Sequence, residues 1–191
     1  MAEAAQNSGG RLVLVVGPSG AGKDSVLEGA RRALSGEAQF AFPRRIITRQ
    51  SDPGSEEHFT LSEAAFARQR EAGAFFLHWE AHGLHYALPG AIADALAGGR
   101  TVVANVSRAV IEEARRRHPA TTVVVVTAPP EVLAGRLLAR GREEAAAVQG
   151  RLARSAAQPS GPGVVTLMND GPLEAAVERF LQVLRATPAE A

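Results

Sequence analysis

The stretch LVLVVGPSGAGKDSV at residues 12–26 constrains the fold more than any other part of the chain. A short valine-rich run ends on a glycine-rich turn, and Gly17, Gly22 and Lys23 stand at the spacing G-x-x-x-x-G-K. Such a run suits a strand buried on both faces, and the residues after the lysine carry helical periodicity. Strand, glycine turn and helix together are the context in which this spacing makes a phosphate cradle, because glycines let backbone N–H groups curl inward and the helix N-terminus adds a positive field. Gly17, Pro18, Ser19, Gly20, Ala21, Gly22, Lys23, Asp24 and Ser25 are therefore the candidate triphosphate site. Lys23 is placed to neutralise charge developing between the β- and γ-phosphates. The alternative, a turn that merely joins strand to helix, leaves the lysine and the spacing unexplained.

Most such cradles carry Ser or Thr after the lysine, where the hydroxyl touches Mg²⁺. Asp24 stands there in this chain. A carboxylate is also a hard oxygen ligand, so Asp24 is the metal candidate, directly or through water, and Ser25 offers a hydroxyl one residue on. The competing reading leaves Asp24 as a first-turn acid that favours the helix dipole.

At 191 residues the chain suits one domain with a core large enough to need no staples. We expect a leader over 1–10 and a single domain over 11–191. Charges nearly cancel, 21 basic against 20 acidic, so nothing overall points to nucleic acid or to an anionic membrane. No cysteine is present, which excludes a disulfide framework and a thiolate metal site. No apolar run approaches the ~20 residues that span a bilayer, and a soluble cytoplasmic protein is the expectation. A homodimer is left open.

Apolar, valine-rich runs at 12–16, 101–106, 122–126 and 164–167 are each followed by a helical pattern, at 25–34, 109–117, 130–139 and 173–184. Strand and helix in alternation imply a parallel sheet with helices packed on its faces. Over about 44–88 the apolar runs shorten and mix with charge, which reads as a small insertion of antiparallel strands with one helical patch at 62–70. A further segment, RGREEAAAVQGRLARS, is studded with arginine and poor in large apolar residues. It reads as a surface helix pair with little core beneath it, a lid over about 140–158.

GPSGAGK, followed by RRIITR, GSEEHFTLSEAAF, FFLHWEAHGLHYALP, RGREE, RLAR and MNDGPLEAAVERF, resembles the guanylate-kinase-like group of P-loop kinases over nearly the whole chain. Within that group the residues are similar to the ribose 1,5-bisphosphate phosphokinases of phosphonate breakdown. The resemblance implies an α/β P-loop NTPase fold of three α/β/α layers, with a parallel core sheet, a small antiparallel acceptor-binding insertion and a helical lid. It implies ATP and Mg²⁺ as cofactors and a sugar bisphosphate as small-molecule partner. The implied reaction converts ribose 1,5-bisphosphate to 5-phospho-α-D-ribose 1-diphosphate.

Guanylate kinases have a glutamate near His78 that reads the guanine edge and a hydroxyl residue near Leu88; neither side chain here repeats those hydrogen bonds. Arg45 and Arg49, flanking IIT, are candidates for bidentate phosphate binding, and Tyr86 stands where the resembling kinases touch acceptor phosphate. Glu57, with Glu56 and His58, is a candidate for the ribose hydroxyls, a solvated turn being the alternative. His78 joins the substrate set on the resemblance, while His78, Trp79 and His85 also read as a half-buried strand pair with an aromatic filler. His82 reads as surface.

Asn105 and Ser107 end TVVANVS, at the carboxyl edge where open α/β sheets bind ligands, and no acidic residue closes that strand. Asn105 is a candidate to orient a metal-bound water or an acceptor hydroxyl, and Arg108 to reach acceptor phosphate or cap the turn. Arg140 and Arg151 are the candidate catalytic lid arginines, with Arg136, Arg142 and Arg154 nearby; the competing reading is a solvated basic face. In the resembling kinases the loop holding Asn169 and Asp170 lies near the adenine. Two other functions remain open: a nucleoside monophosphate kinase with altered base choice, and a binding module of this fold without catalysis.

Overall fold

A computed structural model describes residues 9–49, 58–139 and 159–186. Five strands, β1 (Arg11–Val16), β2 (Phe40–Ala41), β7 (Thr101–Asn105), β8 (Thr121–Thr127) and β9 (Val164–Met168), form a sheet in the order β2-β7-β1-β8-β9. Every pairing in it is parallel. The alternation of a strand decides which residues go to which face. Leu12, Leu14 and Val16 pack on one side with Val102, Ala104, Val123 and Val125; Val13 and Val15 pack on the other with Val103, Val124 and Val126. All of these are buried, which is why the sequence shows runs of valine instead of alternation.

The second of those faces is covered by α1 (Lys23–Ala33), α5 (Pro130–Ala139) and a last helix, α6 (Leu173–Arg185), through Val26, Leu133 and Phe180. The first is covered by α3 (Ile92–Ala97), α4 (Ile111–Arg117) and part of a second sheet. Arg11 anchors the edge of this arrangement. Its guanidinium donates to Ala186 O at 2.6 Å, Leu184 O at 2.6 Å and Val183 O at 3.0 Å, satisfying carbonyls left over at the end of α6. Burial pushes the pKa of this side chain down.

The insertion is a four-stranded sheet in the order β4-β3-β6-β5, built from β3 (Arg45–Ile47), β4 (His58–Thr60), β5 (Phe75–Ala81) and β6 (Leu84–Pro89). It is rich in antiparallel pairing, as expected, with β3–β6 and β5–β6 antiparallel, and β3 and β4 add one parallel pair. The long connection from Ile47 to His58 lets β4 run in the same direction as β3, which a tight hairpin would forbid. Helix α2 (Glu63–Glu71), capped by the Ser62 hydroxyl, covers one face of the small sheet. Its Phe66 lies 4.8 Å from the Phe75 ring and 5.3 Å from His85.

Strand β2, two residues long, and α3, six residues long, were not expected from the sequence, and a 3-10 turn at Arg108–Val110 precedes α4 where one continuous helix was expected. Elements that short carry too few residues for a period to show. Of the expected leader, the described part is residues 9 and 10. Gly10 is buried, its N–H bonding Leu96 O at 2.7 Å and its carbonyl meeting His118 Nε2 at 2.7 Å. The expected lid at 140–158 and residues 1–8 lie outside the described residues.

Candidate active site

β1 and β7 end side by side, with Val106 N donating to Val15 O at 3.1 Å, so the turns after both strands open on the same carboxyl edge. A cavity of about 620 Å³ lies there, walled by the cradle on one side and the small sheet on the other. Gly17 has φ 144°, and a Cβ on it would collide with the carbonyl oxygen of Val126. Gly22, at φ 83°, begins α1 with no side-chain cap. The first turn of that helix therefore offers N–H donors to an anion. Lys23 Nζ donates to Gly17 O at 2.9 Å and Pro18 O at 3.0 Å, folding back along the loop it is placed to serve.

A second layer holds the loop in shape. Asn169, on the turn after β9 and 3% exposed, donates from Nδ2 to Ala21 O at 2.7 Å, while its own N–H bonds Thr127 O at the end of β8. A Cβ on Gly22 would collide with that amide, so the glycine is required by packing as well as by backbone conformation. Sequence reading gave Asn169 only a turn or an adenine-side loop; its brace spans 148 positions and leaves no local signal. Arg136, from the group of lid candidates, reaches Gly20 O at 3.5 Å.

Asp24 and Asn105, two residues singled out separately in the sequence, meet here. Asn105 Nδ2 donates to Asp24 Oδ1 at 2.7 Å. Asn105 is buried and Asp24 exposed, so a fixed amide holds one oxygen of a carboxylate that lines the cavity at the helix start. Ser25 lines the same cavity. Among the described residues no three His, Cys, Asp or Glu side chains gather as a metal cage. One carboxylate and one hydroxyl beside a phosphate cradle suit Mg²⁺, which is usually held by one or two carboxylates, waters and the phosphates of its ligand.

The opposite wall belongs to β3, β5 and β6. Ile47 pairs with Tyr86 and Trp79 with Tyr86, so these side chains share one face of the small sheet. The Trp79 and Tyr86 rings lie 5.5 Å apart and nearly parallel, at 7°, and the Arg45 guanidinium sits 5.8 Å from the Tyr86 ring on the same wall. Arg45, Arg49 and Arg108 line the cavity with Lys23, against Asp24 as the one carboxylate among its described lining residues. The cavity is therefore cationic, and its wall from the small sheet is free of described carboxylates.

His78 is corrected by the register. It pairs with Ala87, which packs with Phe66 under α2, so His78 is exposed on the face turned away from the cavity. Leu88 is fully buried and belongs to the core. His58 Nε2 meets Arg49 O at 3.2 Å and stands among the described residues as a backbone partner. Glu57, Arg140 and Arg151 lie outside the described residues. Trp79 and His82, read from the sequence as filler and as surface, both line the cavity.

A family model described as an AAA domain matches residues 13–154. The chain is 50% identical over 176 residues to ribose 1,5-bisphosphate phosphokinase PhnN of Brucella melitensis, covering 92% of each protein. It is 52% identical over 175 residues to the protein of the same name from Acidiphilium cryptum, again covering 92% of each. Among solved structures, a guanylate kinase from Anaplasma phagocytophilum superposes with a TM-score of 0.65 at 18% identity, over 93% of this chain and 85% of that one. That likeness carries the fold alone.

Proposed function

The chain belongs to the ribose 1,5-bisphosphate phosphokinase family, and from that membership we infer that its cavity transfers the γ-phosphoryl group of ATP to ribose 1,5-bisphosphate. The products are 5-phospho-α-D-ribose 1-diphosphate and ADP. One observation carries this reading from the site itself: the described acceptor wall offers arginines and no carboxylate, which suits an anion without a base to read.

The chemistry asks little of the protein beyond placement and positive charge. An oxygen of the acceptor's 1-phosphate attacks the γ-phosphorus, the bond from that phosphorus to the β–γ bridging oxygen breaks, and ADP leaves with the electron pair. The attacking phosphate is already ionised at neutral pH, so no general base is required. The cradle amides hold the β- and γ-phosphates, and Lys23 moves from the carbonyls of Gly17 and Pro18 onto the migrating group. Arg45 and Arg49 hold the acceptor, with Tyr86 fixing the Arg45 guanidinium from one side. Asp24 and Ser25 would hold Mg²⁺, with Asn105 fixing the carboxylate; when bound, the ion supplies charge neutralisation across the β- and γ-phosphates.

Arg140 and Arg151 belong to the same proposal as groups that close over the phosphates, Glu57 as a ligand of the ribose hydroxyls and Arg108 as a ligand of acceptor phosphate. A cytoplasmic setting goes with it; no helix among the described residues is long and apolar enough to cross a membrane. The test is a coupled ADP-release assay offering ATP with ribose 1,5-bisphosphate or with GMP. Turnover with the sugar bisphosphate alone is the expected result. Turnover with GMP alone would replace this reading with a nucleotide kinase, and turnover with neither would leave a binding module.

A further inference from the structure

Resting on the sugar-bisphosphate reading above, we propose that His82 is a specificity-determining residue of the acceptor subsite, donating an imidazole N–H to one of the acceptor's two phosphates beside Arg49. The argument begins with the backbone. The β5–β6 hairpin closes through His82 and Gly83, at φ 54° and 70°. Two consecutive positive φ values make the turn that Asn-Gly or Gly-Gly forms at least cost, because its twist matches the flanking strands. Among the described residues His82 is the one non-glycine with positive φ. A side chain kept at a costly backbone position on the rim of a ligand cavity points to a use for that side chain.

Its surroundings give no other use. His58 meets a backbone carbonyl, His85 stacks on Phe66 and His118 meets Gly10 O. The His82 imidazole is exposed and has no hydrogen bond, ion pair or ring contact among the described residues.

The register supplies its neighbour. Thr48 N donates to His85 O at 3.1 Å and His85 N to the Thr48 hydroxyl at 3.0 Å, which brings Thr48 level with His85 and Arg49 level with Leu84, next to the turn. Arg45 lies at the other end, since Ile46 pairs with Ala87. The two arginines are thus separated by roughly 13 Å along an extended chain, at about 3.3 Å per residue. Anion-binding groups stand at two levels of one wall, Arg45 with Tyr86 and Arg49 with His82. The Nε of Arg49 is buried without a hydrogen-bond partner among the described residues, a donor without its acceptor. A ligand carrying a phosphate on each side of a ribose ring matches two such levels.

The variant that isolates the imidazole is His82→Asn, which tolerates the left-handed backbone and removes the ring. With ATP and ribose 1,5-bisphosphate, His82→Asn should raise the acceptor KM about tenfold, the size of a lost hydrogen bond to a charged group, while the ATP KM and the melting temperature hold. Competitive inhibition by ribose 5-phosphate and by ribose 1-phosphate then identifies the phosphate concerned: the inhibitor whose constant rises in the variant carries it. An unchanged acceptor KM, or unchanged constants for both inhibitors, in an enzyme that phosphorylates the sugar bisphosphate would overturn this inference alone. A wild-type chain that fails to phosphorylate the sugar bisphosphate would overturn the reading beneath it as well.

Discussion

Replacing Asn105 by alanine should act on magnesium, although Asn105 lies 81 positions from the residue through which it acts. The bond at stake runs from a buried amide to Asp24 Oδ1 at 2.7 Å. Hydrogen bonds to charged groups are worth about 1.5–3 kcal/mol when shielded. Asp24 is exposed, so water replaces part of the bond, and about 1–1.5 kcal/mol is the better figure. That corresponds to a rise of roughly five- to tenfold in the magnesium concentration giving half the maximal rate at fixed ATP. The reason is geometric: without the amide, the carboxylate is free to leave the rotamer in which it would hold Mg²⁺. The assay is a magnesium titration of ADP release for wild type, Asn105→Ala, Asp24→Asn and the double variant, with calorimetry of ATP binding at each magnesium level. If the amide acts only through Asp24, the double variant should be no worse than Asp24→Asn alone. Additive losses, or a magnesium curve unmoved by Asn105→Ala, would refute the reasoning and return Asp24 to a role in the helix dipole.

Further outcomes concern the cradle and its supports. Lys23→Met should lower kcat by about 10²–10³ while the protein stays folded, read by turnover and circular dichroism, because it removes charge stabilisation present only as the phosphoryl group migrates. Gly22→Ala places a side chain at φ 83° against the Asn169 amide; a melting temperature lower by roughly 5 °C and a weakened ATP affinity are expected together in thermal-shift titrations. Asn169→Ala leaves Ala21 O without its donor and should raise the ATP KM more than the acceptor KM in initial-rate measurements. Arg11→Met strips three carbonyls at the end of α6 of their cation and should cost about 2 kcal/mol in denaturant unfolding, with kcat unchanged.

The cradle and the core of the sheet were open to reading because their signals are local. G-x-x-x-x-G-K fixes a loop within seven residues, and runs such as VVVV at 123–126 announce a strand buried on both faces. The cavity wall formed by the small sheet was legible only in part. Arg45 and Arg49 stood out by charge within an apolar motif, yet which face each residue of β5 presents depends on register against β6, and a one-residue slip exchanges His78 with Trp79. The same holds for His82, whose turn is recognisable only once the two flanking strands are known to pair. Contacts that join distant segments, Asn105 to Asp24 and Asn169 to Ala21, have no period or motif to betray them.

The place of β1 in the sheet bears on how the molecule comes into being. It is the third strand of five, and its neighbours follow it far along the chain, β7 pairing Thr101 with Arg11 and β8 pairing Thr121 with Leu12. A nascent polypeptide leaving the ribosome thus exposes this apolar strand before either neighbour and waits for residues beyond 120 to be translated before the strand is hydrogen-bonded on both sides. During that interval LVLVV is a candidate for chaperone capture and for pairing with other copies.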